Sequence, residues 1–89
     1  MAEIKDKDLE ALRKQIDAID KEVLRLLESR FDIVREVAKL KKKKGLPARD
    51  FEREAEIIRH KCKLTHLPPT FVEKIYRDII NHAVEMQER

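Results

Sequence analysis

The amino-acid sequence predicts an all-α fold of three helices, one long and two shorter, in a single domain over residues 1–89. Composition is the first reason. Charged residues reach 44 %, aromatics only 4 %, and there is one Gly, so Glu, Lys, Arg, Leu and Ile favour helix and leave little to build a sheet. Periodicity is the second. Leu9, Leu12, Ile16, Ile19, Val23 and Leu26, then Ile33, Val37 and Leu40, recur in steps of three and four, close to a heptad seam. The third is punctuation: chain breakers cluster at Gly45–Pro47 and again at Pro68-Pro69.

The elements follow in order. Ile4 to Lys7 reads as a lead-in, and Asp6 or Asp8 can cap the first turn, where the helix dipole favours an acid. The first helix runs from about Asp8 to Lys44. It ends in four lysines suited to a C-terminus, with Gly45 as a left-handed C′ residue. Leu46-Pro47-Ala48-Arg49 connects to Asp50, an N-cap for a helix from Phe51 to about Leu64 with Phe51, Ala55, Ile58 and Cys62 on one side. Leu67-Pro68-Pro69 breaks it. Thr70-Phe71-Val72-Glu73 then has the pattern of a capping box opening the third helix, with Val72, Ile75, Tyr76, Ile79, Ile80, Ala83 and Met86 as its apolar positions.

The first helix would measure roughly 55 Å at 1.5 Å per residue. A compact domain of this size has a radius of gyration near 12 Å, by the usual scaling. One short chain cannot cover such a helix, so its apolar stripe is expected to meet a second copy about a two-fold axis. With a net charge of +3 and one cysteine, the composition fits a small anionic ligand and a reducing compartment. Met1–Asp6 has no apolar segment of a secretory signal and no run is long enough to cross a bilayer, so a cytoplasmic protein without membrane attachment is expected.

Arg30 interrupts the apolar stripe between Leu26 and Ile33, and Lys41 lies about three turns further along on much the same side. A cation in an apolar stripe is costly unless an anion meets it. Acids of the later helices (Glu54, Glu56, Asp78 or Glu85) could supply a structural ion pair. The alternative is an anionic guest. The segment Arg49-Asp50-Phe51-Glu52-Arg53-Glu54 sets two arginines and three acids at the start of the second helix. If that helix folds back along the first, Arg30, Lys41 and Arg53 gather with Glu54 as the nearby acceptor. Several cations about one acid suit a ligand with two carboxylates and a hydroxyl.

Five stretches, in this order and spacing, resemble the all-α chorismate mutases (AroQ class). They are Leu12–Asp20, Leu26–Arg30, Val37–Lys41, Pro47–Glu54 and Ile79 through Gln87. Members occur alone or fused to prephenate dehydratase, prephenate dehydrogenase or the first enzyme of the shikimate pathway. The resemblance implies an intertwined homodimer with two shared sites and no cofactor or metal. Conversion of chorismate, a dianion, to prephenate in Phe and Tyr biosynthesis would be the activity. Arg13 of one subunit would join Arg30, Lys41, Asp50, Arg53, Glu54 and Gln87 of the other. Arg13 and Arg30 would hold carboxylates, Glu54 and the Asp50 region the ring hydroxyl, and Lys41 with Gln87 the ether oxygen. Lys41, Gln87 and Arg30 are thus the expected catalytic residues. Ala83 stands where a small hydroxyl residue often contacts a carboxylate. A fused or associated shikimate-pathway enzyme is a further expected partner.

Other features are given plainer readings. His60, Cys62 and His66 lack a fourth ligand and read as surface histidines with a half-buried thiol. Lys39 and Lys41 to Lys44 lack interleaved aromatics and read as a solvated helix end, not a nucleic-acid patch. An isochorismate-pyruvate lyase and a non-catalytic regulatory or dimerisation module of the same fold are the alternative functions.

Overall fold

A computed structural model of the chain describes residues 6–89, so the lead-in at Ile4 lies outside the described residues. The elements are α1 (Lys7–Lys44), α2 (Phe51–Lys63) and α3 (Pro69–Glu88), and the fold is all-α. Helix α1 begins one residue earlier than expected. The chain comprises two units, Met1–Asp32 and Ile33–Arg89, each described by itself, with the boundary inside α1.

In the first unit Asp6 is the cap. Its Oδ1 accepts from the backbone N–H groups of Asp8 (3.0 Å) and Leu9 (3.1 Å), which leaves Asp8 in the first turn. The expected stripe is present and uncovered: Leu9, Leu12, Ile16, Ile19, Val23 and Leu26 are 42–62 % exposed. Leu27, Arg30 and Phe31 are the half-buried residues. Arg30, one turn from both Leu26 and Ile33, keeps its place in the seam and is the half-buried member of it.

The same division continues in the second unit. Val34, Ala38 and Lys41 are half-buried at helical spacing, while Ile33, Val37 and Leu40 remain 65, 40 and 52 % exposed. Helix α1 thus carries two adjacent stripes, offset by about 100° per residue.

Helix α1 ends in a Schellman motif. The N–H of Leu46 donates to Lys41 O (2.8 Å) and that of Gly45 to Lys42 O (3.3 Å), with Gly45 at φ +69°. A Cβ on Gly45 would meet nothing within 4 Å, so only backbone strain opposes one. Gly45→Ala should cost about 1–2 kcal/mol from the left-handed conformation. A thermal melt should register it as a drop of roughly 4–8 °C per kcal/mol. An unchanged melt would show that the turn relaxes without a left-handed residue.

Asp50 caps α2, its Oδ1 accepting from the Arg53 N–H at 3.1 Å. Helix α3 starts differently from expectation. Thr70 and Glu73 form no capping box; the N-cap is Pro68, whose carbonyl accepts from Phe71 N–H (3.0 Å) and Val72 N–H (3.1 Å). Pro69 at the first helical position has φ already set and no N–H to satisfy, so a side-chain cap is dispensable. Helices α2 and α3 pack together. Among the described residues, Val72, Ile80, Ala83 and Val84 are the buried apolar side chains. Ala55, Ile57, Ile58 and Cys62 of α2 and Tyr76, Ile79 and Met86 of α3 are half-buried around them. Phe51 is 71 % exposed and not on the packed face, because the cap turns the first residue of α2 outward, where the Arg49 guanidinium stacks on its ring at 5.0 Å. No helix among the described residues is long and apolar enough to cross a membrane.

Candidate active site

The ends of α1 and α3 meet at Lys41 and Gln87. Lys41 Nζ donates to Gln87 Oε1 at 2.9 Å and to the Ala48 carbonyl, in the connector after α1, at 2.7 Å. Both acceptors are uncharged, and the ammonium is half-buried. Lysine can only donate, which fixes the amide: Oε1 faces Lys41, and Nε2 faces back along α3 to Ala83 O at 3.3 Å. An ammonium has three N–H donors and a primary amide two, so one N–H of each group is left over within this network. Two donors beside an uncompensated positive charge suit a single oxygen that becomes negative. A hollow of about 220 Å³ adjoins Gln87, lined by Val34, Ala38 and Met86 and edged by Arg35, Lys39 and Lys42.

The acids and arginines of α2 are sorted differently from the sequence expectation. Glu54 is buried (5 % exposed) and belongs to an arginine cluster instead of facing Lys41 or Arg53. Arg49 donates from Nε to Oε2 and from Nη2 to Oε1, both at 3.0 Å, and Arg77 Nη1 donates to Oε1 at 2.9 Å. Arg49 Nη2 also reaches Asn81 Oδ1 at 2.9 Å. Arg53 is exposed and pairs one turn on with Glu56, at 2.6 Å. Helical register explains the split: consecutive residues point about 100° apart, so if Glu54 faces α3, Arg53 faces solvent.

The hydrogen bonds from Arg49, and then Arg77, hold the Glu54 carboxyl below the usual carboxylate range, against the opposing effect of burial. Arg49 is in turn held more firmly protonated by Glu54. A depressed folded value contributes stability that is complete above the unfolded glutamate value of about 4.3 and lost as pH falls through the folded value. Glu54→Gln should therefore flatten the acid limb of a stability–pH curve measured by denaturant titration. An acid limb as steep as in the wild type would move the acid sensitivity to other carboxylates.

Of the other expected site residues, Arg13 is exposed and Arg30 half-buried, both on the first-unit part of α1. Asp50 is exposed at its cap, and Ala83 is 6 % exposed, linked to Gln87 through its carbonyl. The structure thus brings together Lys41, Gln87 and Ala83, and joins Asp50 to Arg53 through the cap. Arg77 was missed. It sits among the apolar positions of α3 with no sequence pattern to mark it, whereas Arg49 was in plain view but without an assigned partner. Cys62 Sγ lies 3.8 Å from Pro69 O, and among the described residues no three His, Cys, Asp or Glu side chains gather as metal ligands. A second hollow of about 240 Å³ at the α2–α3 turn is walled mainly by Leu64, Leu67, Phe71 and Ile75 and has one cation, Lys61, so it offers little to a dianion.

Comparison with known proteins gives a consistent answer. A family model described as chorismate mutase type II matches residues 12–88. The chain is 34 % identical over 84 residues to "Chorismate mutase" of Methanocaldococcus jannaschii, covering 91 % of this chain and 85 % of that protein. It is 37 % identical over 79 residues to the "T-protein" of Enterobacter agglomerans, covering 85 % of this chain. It spans only 21 % of that T-protein and 24 % of a bifunctional chorismate mutase/prephenate dehydratase of Aquifex aeolicus. Among solved structures, chorismate mutase (form II) of Thermus thermophilus superimposes with a TM-score of 0.89 at 30 % identity, covering 93 % of this chain and 97 % of that one.

Proposed function

This chain belongs to the type II chorismate mutase family, and from that premise we propose that it is an isomerase rearranging chorismate to prephenate in Phe and Tyr biosynthesis. The observation that carries the reading is the pairing of Lys41 with Gln87 at 2.9 Å, each with a donor to spare. The reaction is a pericyclic [3,3] shift, so it needs no nucleophile, cofactor or metal. It needs a flexible dianion held in a compact conformer, an effect of orientation. It also needs the negative charge growing on the ether oxygen to be stabilised as the C–O bond breaks, for which fixed donors are the large contribution. The spare N–H groups of Lys41 and Gln87 supply two such donors to one oxygen. Arg30, with Arg13 of a second copy, holds the carboxylates in bidentate forks. Glu54, with Asp50 nearby in sequence, accepts from the ring hydroxyl, Arg53 is taken with them as a substrate-binding residue, and Ala83 contributes backbone only.

The same reading takes the chain as one domain that works as an intertwined homodimer. Its support is the bare stripe of α1, Leu12 through Leu26, which no residue of the first unit covers. A cytoplasmic location follows from the pathway and agrees with the free thiol of Cys62. A fused or associated shikimate-pathway enzyme is the further partner, since the T-protein and the bifunctional relatives are several times longer than this chain.

The test is the loss of chorismate ultraviolet absorbance on adding the protein, with prephenate identified in the product. Prephenate formation supports the proposal. Pyruvate release from isochorismate with chorismate untouched makes the protein a lyase, and inertness toward both makes it a non-catalytic module of the fold.

A further inference from the structure

Glu54 is nearly enclosed, yet its two oxygens are not used equally. A carboxylate offers about four acceptor positions. Oε1 receives two donors, Arg49 Nη2 and Arg77 Nη1, and Oε2 receives one, Arg49 Nε. One acceptor position is left, and it is on Oε2. The arginines come from two directions, Arg49 from the connector and Arg77 from α3, and Arg49 is itself braced by Asn81 and stacked on Phe51. Such a three-point grip does more than neutralise a charge. It fixes the carboxylate plane and leaves a single lone pair pointing one way.

We propose that Arg49 and Arg77 are positioning residues that aim the free lone pair of Glu54 Oε2 at the hydroxyl donor of the bound substrate. The inference rests on the site reading above, in which Glu54 accepts from the ring hydroxyl. Arg49 alone can still bridge both oxygens, so losing Arg77 should loosen the aim without expelling the carboxylate. The charged groups facing Glu54 are Arg49 and Arg77, with Glu88 acting more weakly on Arg49. Removing Arg77 therefore lets the Glu54 carboxyl titrate at higher pH.

The experiment measures kcat and KM for chorismate from about pH 4 to pH 9, together with melting temperature, in wild type, Arg77→Met, Arg77→Lys and Glu54→Gln. Arg77→Met should lower kcat/KM at neutral pH roughly tenfold to a hundredfold, the usual scale of a misplaced polar contact, and shift the acid limb to higher pH. Arg77→Lys keeps the charge and loses the fork, so it should hold the acid limb in place while recovering only part of kcat/KM. A lower melting temperature with kcat/KM and pH profile both unchanged would reduce the cluster to a structural tie. Should Arg77→Met fail to fold, wild-type kcat/KM in Arg77→Lys would overturn the proposal equally. Full turnover by Glu54→Gln would remove Glu54 from the site while leaving chorismate activity standing. Absence of turnover in the wild type would defeat the site reading and this inference together.

Discussion

Lys41→Ala is expected to lower kcat for chorismate by about 10²–10³-fold, the range seen when one preorganised donor to a developing oxyanion is removed. Lys41 is held by two neutral acceptors at 2.7 and 2.9 Å, so its charge is available to a guest. The alanine variant loses that charge and also frees Gln87 Oε1, so the amide no longer has a reason to present Nε2 in a fixed direction. The fold should persist, because a half-buried ammonium contributes little to stability once its desolvation is counted. Steady-state loss of chorismate absorbance gives the rate, and far-ultraviolet circular dichroism the helix content. Near-normal turnover by a folded variant would remove Lys41 from the chemistry.

Ile19→Glu should convert a dimer into a monomer and abolish turnover with it. Ile19 is 62 % exposed in the single chain, in the middle of the bare stripe. If the stripes of two copies meet, a carboxylate at that position is buried without a partner at a cost of several kcal/mol, and two-fold symmetry imposes it twice. Because Arg13 is supplied across the interface in the proposed site, separation of the copies should leave each site short of a carboxylate clamp. Analytical ultracentrifugation is the direct measurement: twice the 10.6 kDa chain mass for wild type and a single chain for the variant. A wild-type protein that sediments as one chain would overturn the shared-site model.

The helix plan was legible because it rests on local rules. Gly45 needed a left-handed backbone, Asp50 needed to cap, and both did so where the pattern put them. The start of α3 was misread because Thr70 and Glu73 match a capping box, while the Pro68-Pro69 pair had already met the same need by other means. Lys41 Nζ donates to Gln87 Oε1 although 46 residues separate them and no periodicity relates them. What the sequence could not disclose was pairing among many similar charges. With 21 basic and 18 acidic residues, every acid has several partners at plausible spacing, and only packing of α2 against α3 selects Arg49 and Arg77 for Glu54. The seam count also left out Leu27, Phe31, Val34 and Ala38, which are half-buried beside the exposed seam.

That pair of neighbouring stripes links folding to abundance. In the proposed dimer, a helix whose outer row, from Leu9 to Leu26, is exposed in the single chain would gain much of its stability when another copy arrives, so dilution itself would act as a denaturant. Melting temperature should climb with protein concentration. An enzyme built this way would be scarce in active form whenever its synthesis is low.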